Sequence, residues 1–269
     1  MKAGAQRAYE PILSARGIVN RFGKQVVHDK VDLDILPGEI LGIAGGSGSG
    51  KSVLLRTLTG LHRPNSGKVL VNGKPVESLH DAEKASLFGV LFQKGALFSS
   101  LSVAQNIMLP IRQHTDVGDD EREKIAAMKL ELAGLSPESG IKFPSELSGG
   151  MVKRAAFARA LALDPRILFL DEPTSDLDPL TASGIDELIL QLNEGLRVTF
   201  VIVTHDLNTL INVCDRVAML VDGNITVDTI DKLMHSRQPW IKELLHGPRA
   251  QGAMNAAKHA GKKGPSHGS

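Results

Sequence analysis

The octapeptide Gly45-Gly46-Ser47-Gly48-Ser49-Gly50-Lys51-Ser52 constrains this chain more than any other segment. It fits G-x-x-x-x-G-K-[ST] at every specified position. An apolar run, Ile40-Leu41-Gly42-Ile43-Ala44, precedes it, and Val53-Leu54-Leu55-Arg56-Thr57-Leu58 follows. Strand, loop and helix in that order are the context in which such a loop grips phosphate. Its glycines let successive N–H groups converge on an anion, and the following helix aims its positive end at the same point. In that geometry Lys51 reaches the β- and γ-phosphates and the Ser52 hydroxyl ligates Mg²⁺. A Gly/Ser linker ending in Lys-Ser accounts for the composition of the octapeptide but not for its apolar flanks.

The rest of the chain is compatible with a domain built around that loop. Its 269 residues suffice for one sizeable domain or a domain with a subdomain, and 42% are hydrophobic but only 4% aromatic. The core is therefore mostly Leu, Ile, Val and Ala. A formal net charge of +1 removes any global electrostatic argument for nucleic-acid binding. The single cysteine, Cys214, excludes an intrachain disulfide framework and a multi-cysteine metal site. It falls in the apolar pattern Leu210-Ile211-Asn212-Val213-Cys214 and reads as a small core hydrophobe. Residues 1–10 lack the apolar centre of a signal peptide, and no run approaches the roughly 20 apolar residues that span a bilayer. Any membrane is thus expected to come from a partner subunit.

Along the chain, residues 1–11 read as a flexible N-terminus and 12–246 as one domain. A helical subdomain lies at about 93–150, and 247–269 reads as a disordered, mildly basic tail. Strand patterns occur at Leu13–Asn20, Val26–Ile35, Lys68–Val71, Ile167–Leu170 and Phe200–Val203, with a hairpin signal at Asn72-Gly73. Glu121–Gly134 reads as a helix with Ile125, Met128 and Leu132 on one face. Continuous apolar runs rather than alternation suit a parallel sheet covered on both sides, and helical patterns at Pro179–Leu192 and Leu207–Asp215 complete an α/β alternation. Val217–Val221, Asp222-Gly223-Asn224 and Ile225–Val227 read as a closing hairpin.

Three further clusters complement the loop. Leu170-Asp171-Glu172 ends a buried strand with two acids, at the edge of an α/β sheet where ligands sit. Asp171 suits a Mg²⁺ contact beside Ser52, and Glu172 can polarise a water attacking the γ-phosphate; a solvated acidic turn before Pro173 is the plain alternative. His205, in Thr204-His205-Asp206, ends another strand. It is either structural or a γ-phosphate contact stabilising the transition state. Ser148-Gly149-Gly150 opens a helix-like run, Val152–Leu163. This is an ordinary capped helix, or a second anion site serving a nucleotide held by another copy.

Together these residues resemble the ATP-binding subunits of ABC transporters over roughly residues 12–230. Gly45–Ser52 is similar to Walker A, Gln93 to the Q-loop, Leu147–Met151 to the signature motif, and Ile167–Glu172 to Walker B. Ser175-Asp176-Leu177-Asp178 is similar to the D-loop and His205 to the switch histidine, while Phe22 stands where an aromatic stacks on adenine. The resemblance implies a P-loop NTPase (RecA-like) fold: a parallel-sheet core, an antiparallel β subdomain and an inserted α-helical subdomain. It implies ATP and Mg²⁺, with Glu172, His205 and Lys51 catalytic. Gly45, Gly46, Ser47, Gly48, Ser49, Gly50, Lys51, Ser52, Phe22 and Gln93 contact nucleotide, and Ser52, Gln93 and Asp171 contact the metal. A head-to-tail dimer follows from it, each ATP being finished by Ser148, Gly149 and Gly150 of the other copy.

Met151 stands where most such ATPases carry Gln. With Phe92–Phe98, Leu109–Thr115, Pro144–Leu147 and His246–Ala250, it makes the chain resemble the MlaF-type ATPases of Gram-negative phospholipid transport. That resemblance implies attachment to the cytoplasmic face of the inner membrane through a permease. It also implies a periplasmic lipid-binding protein of the MCE type and a small STAS-domain partner. An ABC transporter for another solute is the alternative. A soluble ABC ATPase acting on DNA or ribosomes is disfavoured by a single cassette and the neutral charge, and a P-loop kinase leaves Leu147–Met151 and Ser175–Asp178 unexplained. Gly95-Ala96-Leu97-Phe98 reads either as a groove for a permease helix or as subdomain core.

Overall fold

The computed structural model describes residues 10–248 and 250–254. In chain order the elements begin with β1 (Leu13–Phe22), β2 (Gln25–Ile35), β3 (Ile40–Gly45), α1 (Lys51–Leu58), β4 (Ser66–Val71) and β5 (Lys74–Pro75). Next come α2 (Asp81–Leu87), β6 (Phe88–Leu91), α3 (Val103–His114), α4 (Asp119–Leu132), α5 (Gly149–Ala160), β7 (Ile167–Asp171), α6 (Pro179–Leu196) and β8 (Thr199–Val203). The chain continues through α7 (Leu207–Asn212), β9 (Arg216–Val221), β10 (Asn224–Asp228), α8 (Ile230–Leu233) and α9 (Pro239–His246).

Two sheets result. An antiparallel sheet has the order β2-β1-β4-β5, and the second has the order β10-β9-β3-β8-β7-β6. In the second every pairing is parallel except β10 with β9. The expected fold class holds: a parallel core, an antiparallel β subdomain, and helices α3 and α4 inserted between β6 and β7. The hairpin expected at Val217–Val227 is present, but its first strand is more than a closing element. β9 pairs parallel with β3, so the hairpin completes the core sheet.

Burial explains the apolar strand runs. Leu168, Leu170, Phe200 and Ile202 join a cluster with α3, α5 and α6, whereas Ile167, Phe169, Val201 and Val203 join one with α1 and the antiparallel sheet. Alternate residues on each strand thus enter different cores, and both cores demand apolar side chains.

Two expectations are corrected. The helix predicted over Glu121–Gly134 exists as α4, but Ala126, Lys129 and Leu130 form its buried face, while Met128 is 47% exposed. The small Ala126 suits close packing on α3 and α5, and the Lys129 stem crosses the interior to pair with Asp164. The tail expected to be disordered from residue 247 is helical over 250–254, where Ala250 and Ala253 are buried, Ala250 in a cluster with β9, α7 and α9. The expectations for residues 1–9 and 255–269 lie outside the described residues.

β6 meets α5 at Gly89. A Cβ there would lie 2.3 Å from the Ala160 carbonyl oxygen and 2.4 Å from Leu168 Cδ2. Gly89→Ala should therefore destabilise the fold by about 1–3 kcal/mol, measured as a lower urea midpoint at unchanged slope. An unaltered midpoint would contradict this packing.

Candidate nucleotide site

Strand order places the site. β3, β8 and β7 are adjacent and parallel, with Ile43 beside Val203 and Val203 beside Asp171. The residues leaving these strands therefore emerge along one sheet edge: Gly45 onward, Thr204-His205, and Asp171-Glu172.

The loop after β3 has no room for side chains at two glycines. A Cβ on Gly45 would sit 2.5 Å from the Leu220 carbonyl oxygen. Gly50 has φ 98, and its Cβ would sit 2.3 Å from Val27 Cγ1. Lys51 Nζ donates to the carbonyls of Gly45 at 2.9 Å and Gly46 at 3.0 Å, which holds the ammonium across the loop. Burial lowers its pKa, opposed by the charges of Glu172 and Asp171.

On the acidic side, Ser52 and Asp171 lie together. Ser52 Oγ donates to Asp171 Oδ1 at 3.3 Å. Burial raises the pKa of Asp171, with the Ser52 hydrogen bond the main opposing effect. These two hard oxygen donors fit Mg²⁺, which commonly binds a protein through one or two groups and completes its shell with water and substrate phosphates. Among the described residues no cluster of three or more His, Cys, Asp or Glu could hold a metal by itself.

Glu172 has φ 51, an uncommon backbone conformation for a non-glycine residue. Its N–H donates to the Val203 carbonyl at 2.8 Å, and its carboxylate meets His205 Nδ1 at 2.9 Å. The Glu172 side chain is 13% exposed and that of His205 is 74% exposed. Gly45, Gly46, Lys51, Glu172, His205 and Trp240 line one cavity of about 450 Å³. Ser47 lines it as well, and with Gly48, Ser49 and Trp240 it also lines a neighbouring cavity of about 300 Å³.

Phe22, Gln93 and Ser148 stand apart from both cavities. Phe22 is half exposed and stacks on His62. Gln93 is engaged through its carbonyl, which accepts from Lys153. Ser148 caps α5, its Oγ accepting from the Met151 N–H at 3.3 Å, with Gly149 and Gly150 in the first turn. Gly95–Phe98 divides between the two readings: Leu97 packs into the core, whereas Ala96 and Phe98 line an outer groove with Phe92 and Leu109.

Several residues escaped the sequence reading. Arg159 clamps the carbonyls of Ala96 at 2.6 Å and Gly95 at 2.8 Å. Trp240, from α9, brings its indole Nε1 within 3.8 Å of where a Gly46 Cβ would be. His28, fully buried behind the loop, accepts at Nδ1 from Asn20 Nδ2 at 2.9 Å, and Asn20 also donates to Thr57 Oγ1 at 3.0 Å. The one sequence signal for it is a histidine in the strand pattern Val26-Val27-His28.

The chain belongs to the ATP-binding family of ABC transporters: the family model described as "ABC transporter" matches residues 28–175. A model described as "AAA domain, putative AbiEii toxin, Type IV TA system" matches residues 141–212. Among curated relatives, the Mycobacterium leprae "Probable ribonucleotide transport ATP-binding protein mkl" is 39% identical, covering 88% of this chain and 69% of that protein. The Haemophilus influenzae "Intermembrane phospholipid transport system ATP-binding protein MlaF" is 35% identical, covering 88% and 90%. The Carboxydothermus hydrogenoformans "Methionine import ATP-binding protein MetN" is 39% identical, covering 81% and 66%. Among solved structures, a dimeric post-hydrolysis state of the cassette MJ0796 bound to ADP and Pi superposes with TM-score 0.73 at 32% identity, covering 81% of this chain and 98% of that one. CbiO1 of Clostridium perfringens gives TM-score 0.76 at 28% identity, covering 91% and 99%. The protein is an ATP-hydrolysing motor of an ABC transporter, and among its described residues no helix is long and apolar enough to cross a membrane.

Burial, the largest influence, lowers the His28 pKa to about 4 from an ordinary 6.5. The unfolded chain then binds more protons between those values, so this contribution to stability is full above pH 6.5 and is lost as pH falls towards 4. His28→Phe should flatten the decline of melting temperature between pH 7 and pH 5. A decline as steep as the parent's would overturn the assignment of a buried neutral ring.

Proposed function

We propose that this motor drives phospholipid transport between the inner and outer membranes, and that Lys51, Glu172 and His205 carry its hydrolytic chemistry. The observation supporting the chemistry is the convergence of those three side chains on one cavity beside the phosphate loop. Glu172 orients and deprotonates the attacking water, with His205 holding its carboxylate. Lys51 leaves its loop carbonyls for the phosphate oxygens and stabilises the charge that develops there. Ser52 and Asp171, which lie together, would hold Mg²⁺, and the ion would supply charge neutralisation at the phosphates. On this reading Phe22 and Gln93, which lie outside both cavities, would contact the adenine and the nucleotide's metal respectively.

The reading extends to a head-to-tail dimer in which Ser148, Gly149 and Gly150 complete the partner copy's ATP site. The helix start of α5 provides backbone N–H groups suited to a γ-phosphate. A dimeric state of the MJ0796 cassette bound to ADP and Pi supports it. The lipid reading rests on Met151 with Phe92–Phe98, and on the 90% of MlaF that the chain covers. Under it the outer groove beside Phe98 receives a permease helix on the cytoplasmic face of the inner membrane, and MCE-type and STAS-domain proteins complete the assembly.

Glu172→Gln should retain ATP binding while turnover falls on the order of 100-fold or more. Near-parental hydrolysis would remove Glu172 from its role. For the lipid reading, the tagged chain purified from native membranes in mild detergent should bring a multispanning permease and an MCE-domain protein. Recovery with a periplasmic solute-binding protein instead would sink it.

A further inference from the structure

Lys153 lies in the second turn of α5 and is only 6% exposed. Its ammonium donates to the Gln93 carbonyl, to the Glu172 carbonyl at 2.9 Å and to Ser175 Oγ at 3.4 Å. Three donors meet three acceptors, which is the full capacity of a lysine. Burial disfavours the charged form, and the neighbouring charges of Asp176, Glu172 and Asp171 favour it. Among the described residues, no other side chain hydrogen-bonds both the Gln93 segment and the segment that follows β7.

The two carbonyls matter because of what they hold. Gln93 precedes the Gly95–Ala96 turn, where both residues have positive φ and Arg159 clamps both carbonyls. Glu172 sits at φ 51, so its side-chain direction depends on backbone restraints. Val203 supplies one restraint through the Glu172 N–H, and Lys153 and Ser175 supply the others through its carbonyl. We propose that Lys153 is a positioning residue that joins the Gln93 segment to Glu172, so that displacement of that segment re-aims the hydrolytic carboxylate. The inference rests on Glu172 acting in hydrolysis, as read above. Lys153 does not line the cavity at the phosphate loop, so its effect falls on turnover rather than on nucleotide affinity.

The test measures ATP affinity by calorimetry and single-turnover hydrolysis for Lys153→Met and Lys153→Gln, each alone and combined with Glu172→Gln. With Glu172 present, turnover should fall at least tenfold while the Kd for ATP stays within threefold. In the Glu172→Gln background the same substitutions should change hydrolysis by less than twofold, because residues acting as a unit are not additive. Unchanged turnover with Glu172 present, an equal loss in both backgrounds, or a tenfold weaker Kd would each overturn the proposal. If the methionine variant does not fold, the glutamine variant decides by the same criteria. Parental hydrolysis by Glu172→Gln alone is a separate outcome: it removes the reading of Glu172 and this inference with it.

Discussion

Burial of the parallel strands on both faces is the constraint on which the rest of the structure depends. Each of Leu168, Leu170, Phe200 and Ile202 contributes to one core, and each of Ile167, Phe169, Val201 and Val203 to the other. At about 1.5–3 kcal/mol for each large apolar side chain buried, these strands outweigh any single polar contact at their ends. Polar residues are admitted where the strands leave the cores. Asp171, Glu172 and His205 therefore emerge at one edge, beside Gly45. The position of the chemistry is thus a consequence of where apolar burial stops.

Several of the polar groups that enter the interior are held by specific partners. Lys51 rests on two loop carbonyls and Lys153 on three acceptors. At the opposite end of β3, Glu39 receives Arg216 at 3.1 Å and the Ile40 N–H reaches Asp215 Oδ2 at 2.8 Å. An unpaired group in such places costs about 1–3 kcal/mol and more if charged, so the partners restrict each side chain to one arrangement. The same restriction that protects stability sets the direction of Lys51 and Glu172 at the site.

Legibility followed the range of the interactions. The loop, β7 and β8 were readable because a strict local pattern and a continuous apolar run are properties of neighbouring residues. Helical periodicity puts the exposed Met128 on a buried face because it does not show which face meets α3 and α5. The buried Ala126 and Lys129 belong to that face only once those helices are packed against it. Lys153 carries no local signal, and His28 only its place in a strand pattern, for a similar reason: their partners are 8 to 60 residues away in the chain. Helical residues 250–254 bury alanines that, in a Gly/Ala/Lys/His composition, carry no periodic signal.

By itself the sequence determined the phosphate-gripping loop, the acids after one strand and the histidine after another, because each is written in adjacent residues. Only the tertiary structure decided that β8 lies between β3 and β7, that β9 joins the parallel sheet, and that one buried ammonium spans Gln93 and Glu172. Backbone hydrogen bonds can pair many strands equally well. The choice among them is made by the burial of both sheet faces together, a property of the whole chain rather than of any segment.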